Sequence, residues 1–287
     1  MSRWAYVNGR FVRHGDAAVH IEDRGYQLAD GVYEVWAVMG GKLVDSLGHF
    51  ERLERSLDEL RIARPMGRKA LELVLREAVR RNRVRYGLVY LQVTRGVARR
   101  DHAFPDPQPL PAMVVTAKTL DRKAAEARAA KGVGVITLPE NRWGRCDIKT
   151  VGLLPNAMAK QAAKEQGCAE AWFVDPDGLV TEGASSNAWI VDADGVLRTR
   201  DTTANILRGV TRKSVIALLG EQNIRFEERA FTPQEAKQAR EAFITGAGAL
   251  VLPVVTVDGK VIGDGVPGPV ATRLRALYIE AAQASVI

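Results

Sequence analysis

The spacing of apolar residues along the chain predicts strands first and helices afterwards. The stretches "YVNGRFV" and "VYEVWAVMGGKLVDS" each place two apolar runs around an Asn-Gly or Gly-Gly pair, which is the strongest local signal for a β-hairpin. Apolar residues then recur at helical spacing over 47–60 and again over 71–79. Strand composition returns in "YGLVYLQVTRG" and "PAMVVTAKTL", with the proline-rich loop "FPDPQPLP" between them. We therefore predict an α+β domain over residues 1–118.

The rest of the chain predicts a second domain after a polar segment. "KTLDRKAAEARAAKG" has no strong apolar periodicity, and we interpret it as a linker over 119–126 followed by a surface helix. The strand "VGVITL", the helix "LLPNAMAKQAAKEQG" and two hairpins with Asp-Gly turns follow. A helix then begins in "GVTRKSVIALLGEQ", "FTPQEAKQA" is a capping box with Thr232 as the cap, and a strand pair around "TVDGKVI" precedes a closing helix. We predict a C-terminal domain over 127–287 and a two-domain chain of the α/β (α+β) class.

Composition and charge narrow the class of ligand. The chain has 287 residues, of which 46% are hydrophobic and 26% charged, as in ordinary globular proteins and unlike disordered ones. Its net charge of +7 suggests binding to nucleic acid or to anionic small molecules. Basic residues alternate with acids, as in "FERLERSLDELR", and we find no recognition helix, aromatic platform or zinc spacing. We therefore favour an anionic small molecule, with a nucleic-acid-binding protein that does no chemistry as the rival from another class.

The cysteines and apolar stretches indicate the compartment. Cys146 and Cys168 form no CxxC pattern and are too few for a disulfide framework or a zinc site, so we predict no metal. The N-terminus lacks the pattern of a secretory signal. The uncharged stretch "FITGAGALVLPVVTV" is too short and glycine-rich to span a membrane. We expect a reduced, cytoplasmic protein without a membrane segment.

Two short stretches carry candidate covalent and acid–base chemistry. Lys149 lies in "RCDIKT", where a strand-like run meets a loop. Most lysines are exposed and inert, but a neutral lysine amine can form a Schiff base with an aldehyde. Glu182 lies in "VTEGASSNAWIV", which is either a turn between hairpins or a carboxylate placed beside a cationic ring nitrogen. In the second case Ser185, Ser186 and Asn187 supply further donors and acceptors.

Three other stretches suit anionic groups. In "NILRGVTRKSV" the residues Gly209, Val210 and Thr211 open a helix, whose free N–H groups can bind a phosphate. "FITGAGA" runs into a glycine-bearing turn, which allows close approach of a ligand. In "TRGVARRDHAFP" the side chains of Arg100 and His102 share one face of an extended chain. That loop is either a basic surface loop or a grip for a carboxylate.

Taken together, "LADGVYEV", "HFERLERSL", "TRGVARRDHAFP", "CDIKTVGLLPNAMAKQ", "VTEGASSNAWIV", "ILRGVTRKSV" and "FITGAGALVLPV" resemble the fold-type IV pyridoxal-phosphate enzymes. This family comprises D-amino acid transaminases, branched-chain transaminases and aminodeoxychorismate lyases. The resemblance covers essentially the whole chain and is strongest to the D-amino acid transaminases, mainly through Arg100 and His102. It implies a small N-terminal α+β domain and a larger C-terminal, cofactor-binding domain with a β-barrel-like core flanked by helices.

The resemblance also implies a role for each matched residue. Lys149 becomes the Schiff-base lysine and proton carrier, and Glu182 the partner of the pyridinium nitrogen. The other cofactor-binding residues that it implies are Arg52, Ser186, Asn187, Leu207, Gly209, Val210, Thr211, Gly246 and Ala247. The substrate α-carboxylate is assigned to Tyr33, Arg100 and His102, the last two reaching in from the neighbouring subunit of a homodimer.

Two positions depart from the family pattern. The family commonly has serine where this chain has Ala184, and a hydroxyl residue where it has Ala247. Without that hydroxyl, backbone N–H groups are the expected phosphate contacts in the turn. Thr245 lies nearby but is not an obvious substitute in the alignment.

The expected reaction is a ping-pong transamination between a D-amino acid and a 2-oxo acid. If Tyr33, Arg100 and His102 hold the carboxylate, the enantiomer that presents its α-hydrogen to Lys149 should be D. The alternatives within the family are a branched-chain L-amino acid transaminase and an aminodeoxychorismate lyase. The carboxylate-gripping loop argues against the lyase.

Overall fold

The computed structural model describes residues 3–202, 206–220, 222 and 224–284. Its described residues divide into two compact units. The first contains the chain up to Asp121 together with Ile148–Gly152, and the second contains Arg122–Asp147 and Leu153–Ala284.

The first unit is a six-stranded antiparallel sheet with three helices. The strands are β1 (Trp4–Val7), β2 (Arg10–Arg13), β3 (Gly31–Met39), β4 (Lys42–Leu43), β5 (Tyr86–Thr94) and β6 (Ala112–Thr119). The helices are α1 (Arg24–Leu28), α2 (Ser46–Glu59) and α3 (Arg68–Arg81), and a short 3-10 helix covers His14–Asp16. The order across the sheet is β2-β1-β6-β5-β3-β4. Both predicted hairpins and both predicted long helices are present.

Local sequence explains these elements. The β1–β2 turn uses Asn8 and Gly9 at φ values of 44° and 99°, the positive values that a type I′ hairpin turn requires. Helix α2 buries Phe50, Leu53 and Leu57, whose spacing gives one apolar stripe against the sheet. Leu47 does not belong to that stripe, because its side chain is 61% exposed.

The free edge of β3 fixes the position of Lys149. Strand β4 pairs only with the end of β3, at Val38 and Met39. The beginning of β3 bonds instead to the segment 148–152, where Val151 N donates to Gly31 O at 3.1 Å. Ile148 is buried in the core of the first unit. Backbone groups at a sheet edge need partners, and this segment supplies them from far along the sequence.

The second unit is a nine-stranded mixed sheet with five helices among the described residues. Its strands are β7 (Val133–Pro139), β8 (Glu170–Val174), β9 (Val180–Gly183), β10 (Asn187–Val191), β11 (Leu197–Thr199), β12 (Phe226–Glu228), β13 (Glu241–Gly246), β14 (Leu250–Val257) and β15 (Lys260–Val261). Its helices are α4 (Arg122–Lys131), α5 (Leu154–Glu165), α6 (Val210–Leu219), α7 (Pro233–Gln238) and α8 (Pro269–Ala284). The order is β12-β11-β10-β13-β14-β7-β8-β9, with β15 paired to β14.

Turn and cap chemistry again explains the local structure. The β14–β15 turn is Asp258-Gly259, with φ values of 47° and 75°. The predicted capping box forms at the start of α7, where Glu235 N donates to Thr232 Oγ1 at 3.1 Å and Thr232 N donates to Glu235 Oε2 at 2.8 Å. The predicted helix after Gly209 is α6, and Glu221 of its predicted end lies outside the described residues.

The predicted domain limits differ in detail from the compact units. The predicted linker 119–126 overlaps the first half of helix α4, and the segment 148–152 of the predicted C-terminal domain lies in the first unit. The division into domains 1–118 and 127–287 stays a prediction. Across the described ranges, no helix is long and apolar enough to cross a membrane.

Candidate active site

Lys149 is held by its backbone between β3 and α2. Its carbonyl accepts a 2.9 Å hydrogen bond from Tyr33 N, and its N–H lies 3.4 Å from Ser56 Oγ on α2. Its Nζ lies 4.2 Å from the centroid of the Tyr33 ring, and that ring stacks on Tyr90. Lys149 is half-buried in an irregular segment rather than at the end of a strand. The structure therefore brings together the predicted lysine and the predicted Tyr33.

Arg52 lies one helical turn from Ser56, on the same face of α2. Its Nε and Nη2 donate to the two carboxylate oxygens of Glu34 at 2.9 and 2.6 Å. Nδ1 of His49 lies 3.0 Å from Glu34 Oε1. Burial alone would raise the pKa of Glu34, but Arg52 and His49 outweigh it, so that the pKa lies below its usual range. Arg52, one of the predicted cofactor-binding residues, is thus oriented by a buried, ionised carboxylate.

Glu182 is buried among hydrogen-bond donors in the second unit. Arg142 Nη1 donates to Oε1 at 2.7 Å, and Leu207 N donates to the same oxygen at 3.1 Å. Asn187 Nδ2 donates to Oε2 at 3.1 Å and to Leu207 O at the same distance. Three donors to one buried carboxyl group stabilise its ionised form. Glu182, Asn187 and Leu207, all predicted from sequence, are in direct contact.

A second carboxylate orders the serines that follow Glu182. Glu170, 1% exposed, accepts from Ser185 Oγ at 2.7 Å and from Ser186 Oγ at 3.0 Å. Gly246, the last residue of β13, lies close to these serines, since a Cβ on it would lie 3.2 Å from Ser185 O. Ala247 follows in the turn. Ser186, Asn187 and the Gly246–Ala247 turn therefore share one end of the β10–β13 pair.

The Ala247 departure is not compensated by the nearby threonine. The Thr245 hydroxyl is buried and accepts a 2.9 Å hydrogen bond from Trp189 Nε1. Its hydrogen bond to the indole places it in the core. The backbone N–H groups of the turn remain the donors that this segment offers.

The start of α6 has the form expected of an anion site. Gly209 is the N-cap residue, and within the described part of the chain no side chain caps the helix. A Cβ on Gly209 would clash with Asn187 Oδ1, so only glycine allows this approach. Val210 and Thr211 are buried in the first turn, where helical N–H groups have no intrahelical acceptors. This geometry links the helix start to the Glu182 cluster through Asn187.

Arg100 and His102 are exposed on a loop between β5 and β6. Arg24 Nη1 donates to the carbonyl of Asp101, between the two predicted residues, at 2.7 Å. The structure thus fixes the backbone of the predicted carboxylate grip and leaves both side chains at the surface.

Sequence reasoning missed four charged residues that organise these groups. They are Arg24, Arg142, Glu140 and Glu170. Arg142 bridges Glu140 and Glu182 with contacts of 2.7 Å each. The Glu-x-Arg spacing in "ENRWGR" is the one local signal for this bridge, and by itself it is indistinguishable from a surface pair. Among the residues that the structure describes, no group of three or more His, Cys, Asp or Glu could hold a metal ion.

Comparison with known proteins identifies the family. The family model "Amino-transferase class IV" matches residues 31–257. The chain belongs to the class IV aminotransferases. It is 42% identical over 271 residues to the D-alanine aminotransferase of Bacillus licheniformis, covering 93% of each chain. It is 38% identical over 272 residues to the D-alanine aminotransferase of Staphylococcus haemolyticus, covering 94% of each.

A solved structure agrees with this assignment. The branched-chain amino acid aminotransferase of T.th., solved with pyridoxamine 5'-phosphate, superposes with a TM-score of 0.89 at 28% identity, covering 99% of this chain and 95% of that one. The predicted family, the predicted fold class and the prediction of an aminotransferase are confirmed by these matches.

The residues present fit the pyridoxal phosphate on which this family depends. The uncapped start of α6 and the buried Thr211 hydroxyl offer donors for a phosphate. Gly209 is closely packed and has no side chain, so it does not block the N–H groups of that helix start. The buried, hydrogen-bonded Glu182 carboxylate suits a protonated ring nitrogen. In the first unit, taken by itself, Lys149 carries a primary amine of the kind that binds an aldehyde.

Proposed function

We propose that this aminotransferase is a D-amino acid transaminase, which moves the amino group of a D-amino acid such as D-alanine or D-glutamate to a 2-oxo acid. The observation that carries the proposal is the position of Lys149, whose Nζ lies 4.2 Å from the ring centroid of Tyr33. The Lys149 amine thus lies beside Tyr33, the residue that we assign to binding of the substrate carboxylate. The 42% identity to the D-alanine aminotransferase of Bacillus licheniformis supports the same substrate class.

In this proposal the protein's own residues bind, orient and move protons. The bound cofactor supplies an aldehyde that takes up the amino group and a ring that delocalises the charge left at the α-carbon. Lys149 is the residue whose Nζ would hold the cofactor through that aldehyde. Its Nζ would take the substrate's α-proton as a base and afterwards release that proton as an acid. A second 2-oxo acid reverses these steps, which gives ping-pong kinetics.

Glu182 keeps a proton on the pyridine nitrogen. Its three donors, from Arg142, Asn187 and Leu207, favour the carboxylate over the neutral acid, and a carboxylate pairs with a protonated ring nitrogen. We assign Leu207 to packing against the ring.

The phosphate group is assigned to several backbone and side-chain donors. Arg52, on α2, is held by Glu34, and the first turn of α6 offers its N–H groups. The residues so assigned are Arg52, Ser186, Gly209, Val210, Thr211, Gly246 and Ala247.

The handedness follows from a lysine fixed on one side of the substrate. Lys149 can remove only a proton that points towards its Nζ. If Tyr33, Arg100 and His102 hold the α-carboxylate, that proton belongs to the D-enantiomer. This part of the proposal is supported by the named relatives and by the Arg100/His102 loop.

We further propose a cytoplasmic homodimer in which this loop serves the neighbouring subunit. Leu110 in this loop is 90% exposed, and so are Ile21 at 76% and Tyr26 at 75% in the segment that pairs with the loop at Val97. Large exposed apolar side chains are typical of a protein interface when they lie together. Both cysteines lie in the described part of the chain and are free thiols, as in a reducing compartment.

Subunit complementation tests the dimer. One protein carries Lys149→Ala, and the other carries Arg100→Ala with His102→Ala. If the loop crosses to the neighbour, a mixed dimer has one complete site, and random re-association should restore about a quarter of the wild-type activity. If the loop acted within its own chain, mixing would restore nothing.

The substrate class is tested by the half-reaction of the purified holoenzyme. Addition of D-alanine without a 2-oxo acid should convert the pyridoxal spectrum to the pyridoxamine spectrum and release one pyruvate per site. The structural likeness to a branched-chain enzyme makes L-leucine the matched comparison, and it should leave the spectrum unchanged. Conversion by L-leucine alone would replace the D-amino acid proposal with a branched-chain transaminase.

A further inference from the structure

The loop that carries Arg100 and His102 is anchored by a buried charge cluster. The loop begins at Gly96, whose φ is 102° and on which a Cβ would clash with the carbonyl of Leu110. Its two ends therefore meet closely, as in an Ω-loop. Arg100 and His102 are themselves exposed, so other residues must fix the middle of the loop.

Arg24 contacts the loop at its functional part. Its side chain is 3% exposed, and its Nη1 donates to the carbonyl of Asp101 at 2.7 Å. Its Nη2 lies 3.5 Å from the carbonyl of His102. A planar guanidinium fixes two directions at once, so Arg24 sets both the position and the orientation of the peptide units between the two assigned residues.

Arg24 is itself oriented by an acid that a second arginine holds. Arg24 Nε donates to Asp30 Oδ2 at 2.7 Å. Arg95, 1% exposed, donates to both oxygens of Asp30 at 2.7 and 3.0 Å. Arg95 also donates to the carbonyls of Leu60 and Arg61, which tie the cluster to the end of α2. Asp30 thus has two arginine partners, and only one of them contacts the loop backbone.

The same cluster holds the loop by a second contact. The Phe104 ring lies 3.6 Å from Arg95 Cζ and 5.0 Å from Arg61 Cζ, a cation–π arrangement that stabilises partly exposed rings. Phe104 is 46% exposed and comes two residues after His102. The loop is therefore fixed at Asp101 and His102 and again at Phe104, two residues further on.

We propose that Arg24 is a positioning residue for substrate binding, which acts through the backbone of Asp101 and His102 on the Arg100/His102 pair. In this proposal Arg24 touches neither substrate nor cofactor. It fixes the backbone from which the Arg100 and His102 side chains extend. The inference rests on the proposed function, in which that pair binds the α-carboxylate. Its effect should appear in the KM for the amino acid and in the affinity for a non-reacting carboxylate, and not in cofactor binding.

The test compares Arg24→Gln with wild type in two backgrounds. In the wild-type loop, loss of a charge-assisted hydrogen bond should raise the KM for D-alanine and the inhibition constant of propionate about tenfold. The kcat and the holoenzyme spectrum should change little. In the Arg100→Ala/His102→Ala background, Arg24→Gln should have no further effect, because the groups that it positions are gone. Arg24→Lys, which keeps the charge and one bond, should recover part of the loss.

The outcomes distinguish failure of the carboxylate-binding assignment of Arg100 and His102 from failure of the positioning role of Arg24. If Arg100→Ala/His102→Ala leaves the KM unchanged, the carboxylate assignment fails, and this inference fails with it. If that variant raises the KM and Arg24→Gln does not, or if Arg24→Gln acts equally in both backgrounds, only the inference is overturned. Arg76→Gln, on the exposed surface of α3, is the neutral control.

A second variant decides the case in which Arg24→Gln fails to fold. Arg24→Lys keeps the positive charge beside Asp30 but lacks the planar fork of donors, so it cannot hold the Asp101 and His102 carbonyls together. It should raise the KM for D-alanine in the wild-type loop and have no effect in the Arg100→Ala/His102→Ala background. An unchanged KM in the wild-type loop would overturn the inference.

Discussion

Arg142 Nη1 donates a 2.7 Å hydrogen bond to Oε1 of Glu182, and Nη2 of the same guanidinium contacts Glu140 Oε2 at 2.7 Å. Burial alone would lower the pKa of Arg142, but Glu140 and Glu182 outweigh it and raise that pKa above its usual range. A permanent cation therefore holds the carboxylate that we assign to the ring nitrogen. The pair lies within the second unit.

Replacing Arg142 with glutamine should impair both stability and cofactor binding. Breaking one side of a buried ion pair costs about 3–5 kcal/mol, and Glu182 would keep only its neutral donors. We expect a lower urea midpoint and a higher dissociation constant for pyridoxal phosphate, measured by the absorbance of the bound form.

Arg198→Gln is the matched control for this variant. Arg198 also bridges two acids of the second unit, Asp192 and Glu227, away from the Glu182 cluster. It should lower the urea midpoint and leave cofactor affinity unchanged. Equal loss of cofactor affinity in both variants would contradict the role given to Arg142.

The start of α6 should not tolerate a side chain at Gly209. Gly209→Ala would place a methyl group against Asn187 Oδ1 and displace one donor to Glu182. Overpacking of this kind costs about 1–3 kcal/mol, and the cofactor should bind about tenfold more weakly if one charged hydrogen bond is lost. Gly220→Ala, at the other end of the helix and with nothing within 4 Å of its Cβ, should retain wild-type affinity. Wild-type affinity in Gly209→Ala would refute the packing account of this helix start.

Acid should destabilise the protein through the Glu34 and His49 pair. Burial lowers the pKa of His49 below 6.5, so its stabilisation is present above pH 6.5 and declines as pH falls towards the folded value. The pKa of Glu34 is also lowered, from 4.5, despite its burial, chiefly by Arg52. Its stabilisation is therefore present above pH 4.5 and declines as pH falls through the lowered folded value.

Urea unfolding from pH 7 to pH 3 checks this dependence. The free energy of unfolding should decline in two stages, below 6.5 and again below 4.5. Glu34→Gln should be less stable than wild type at pH 7, and the difference should narrow below pH 4.5. A constant difference over the whole range would show that the carboxyl group does not titrate as described.

Cys146 should be unreactive in the folded protein. Burial raises the pKa of its thiol to about 11, so that only about one thiol in a thousand is ionised at pH 8. In a Cys168→Ser variant, which leaves Cys146 as the single thiol, modification by a disulfide reagent should be slow at pH 8 and fast in urea. A folded rate close to the unfolded rate would contradict the buried environment.

Sequence predicted the elements whose signals are local. The Asn8-Gly9 turn and the Thr232 capping box depend on residues a few positions apart, and both occur as expected. Helix α2 was predicted because its apolar spacing repeats over four turns. The five-residue helix α1 and the three-residue strand β12 were missed, because so few residues carry no readable period.

Only part of the candidate site was predicted, and that part came from family resemblance and not from local patterns. Glu182, Asn187 and Leu207 were named through family resemblance, and they do contact one another. Arg142 and Arg24 were not, because Arg142 meets Glu182 and Arg24 meets the Asp101 carbonyl 40 or more residues away. In the sequence each looks like any surface arginine. The placement of residues 148–152 in the first unit depends on the open edge of β3, which no local pattern encodes.

The central claim is that Lys149 is the residue that binds the cofactor and moves the α-proton. Reduction of the holoenzyme with borohydride, followed by proteolysis and mass spectrometry, tests it most directly. If Lys149 has this role, a single phosphopyridoxyl group should be attached to Lys149. In the Lys149→Ala protein no lysine should be labelled, and D-alanine should not be transaminated. A label on another lysine such as Lys160, or transamination by Lys149→Ala at the wild-type rate, would contradict it.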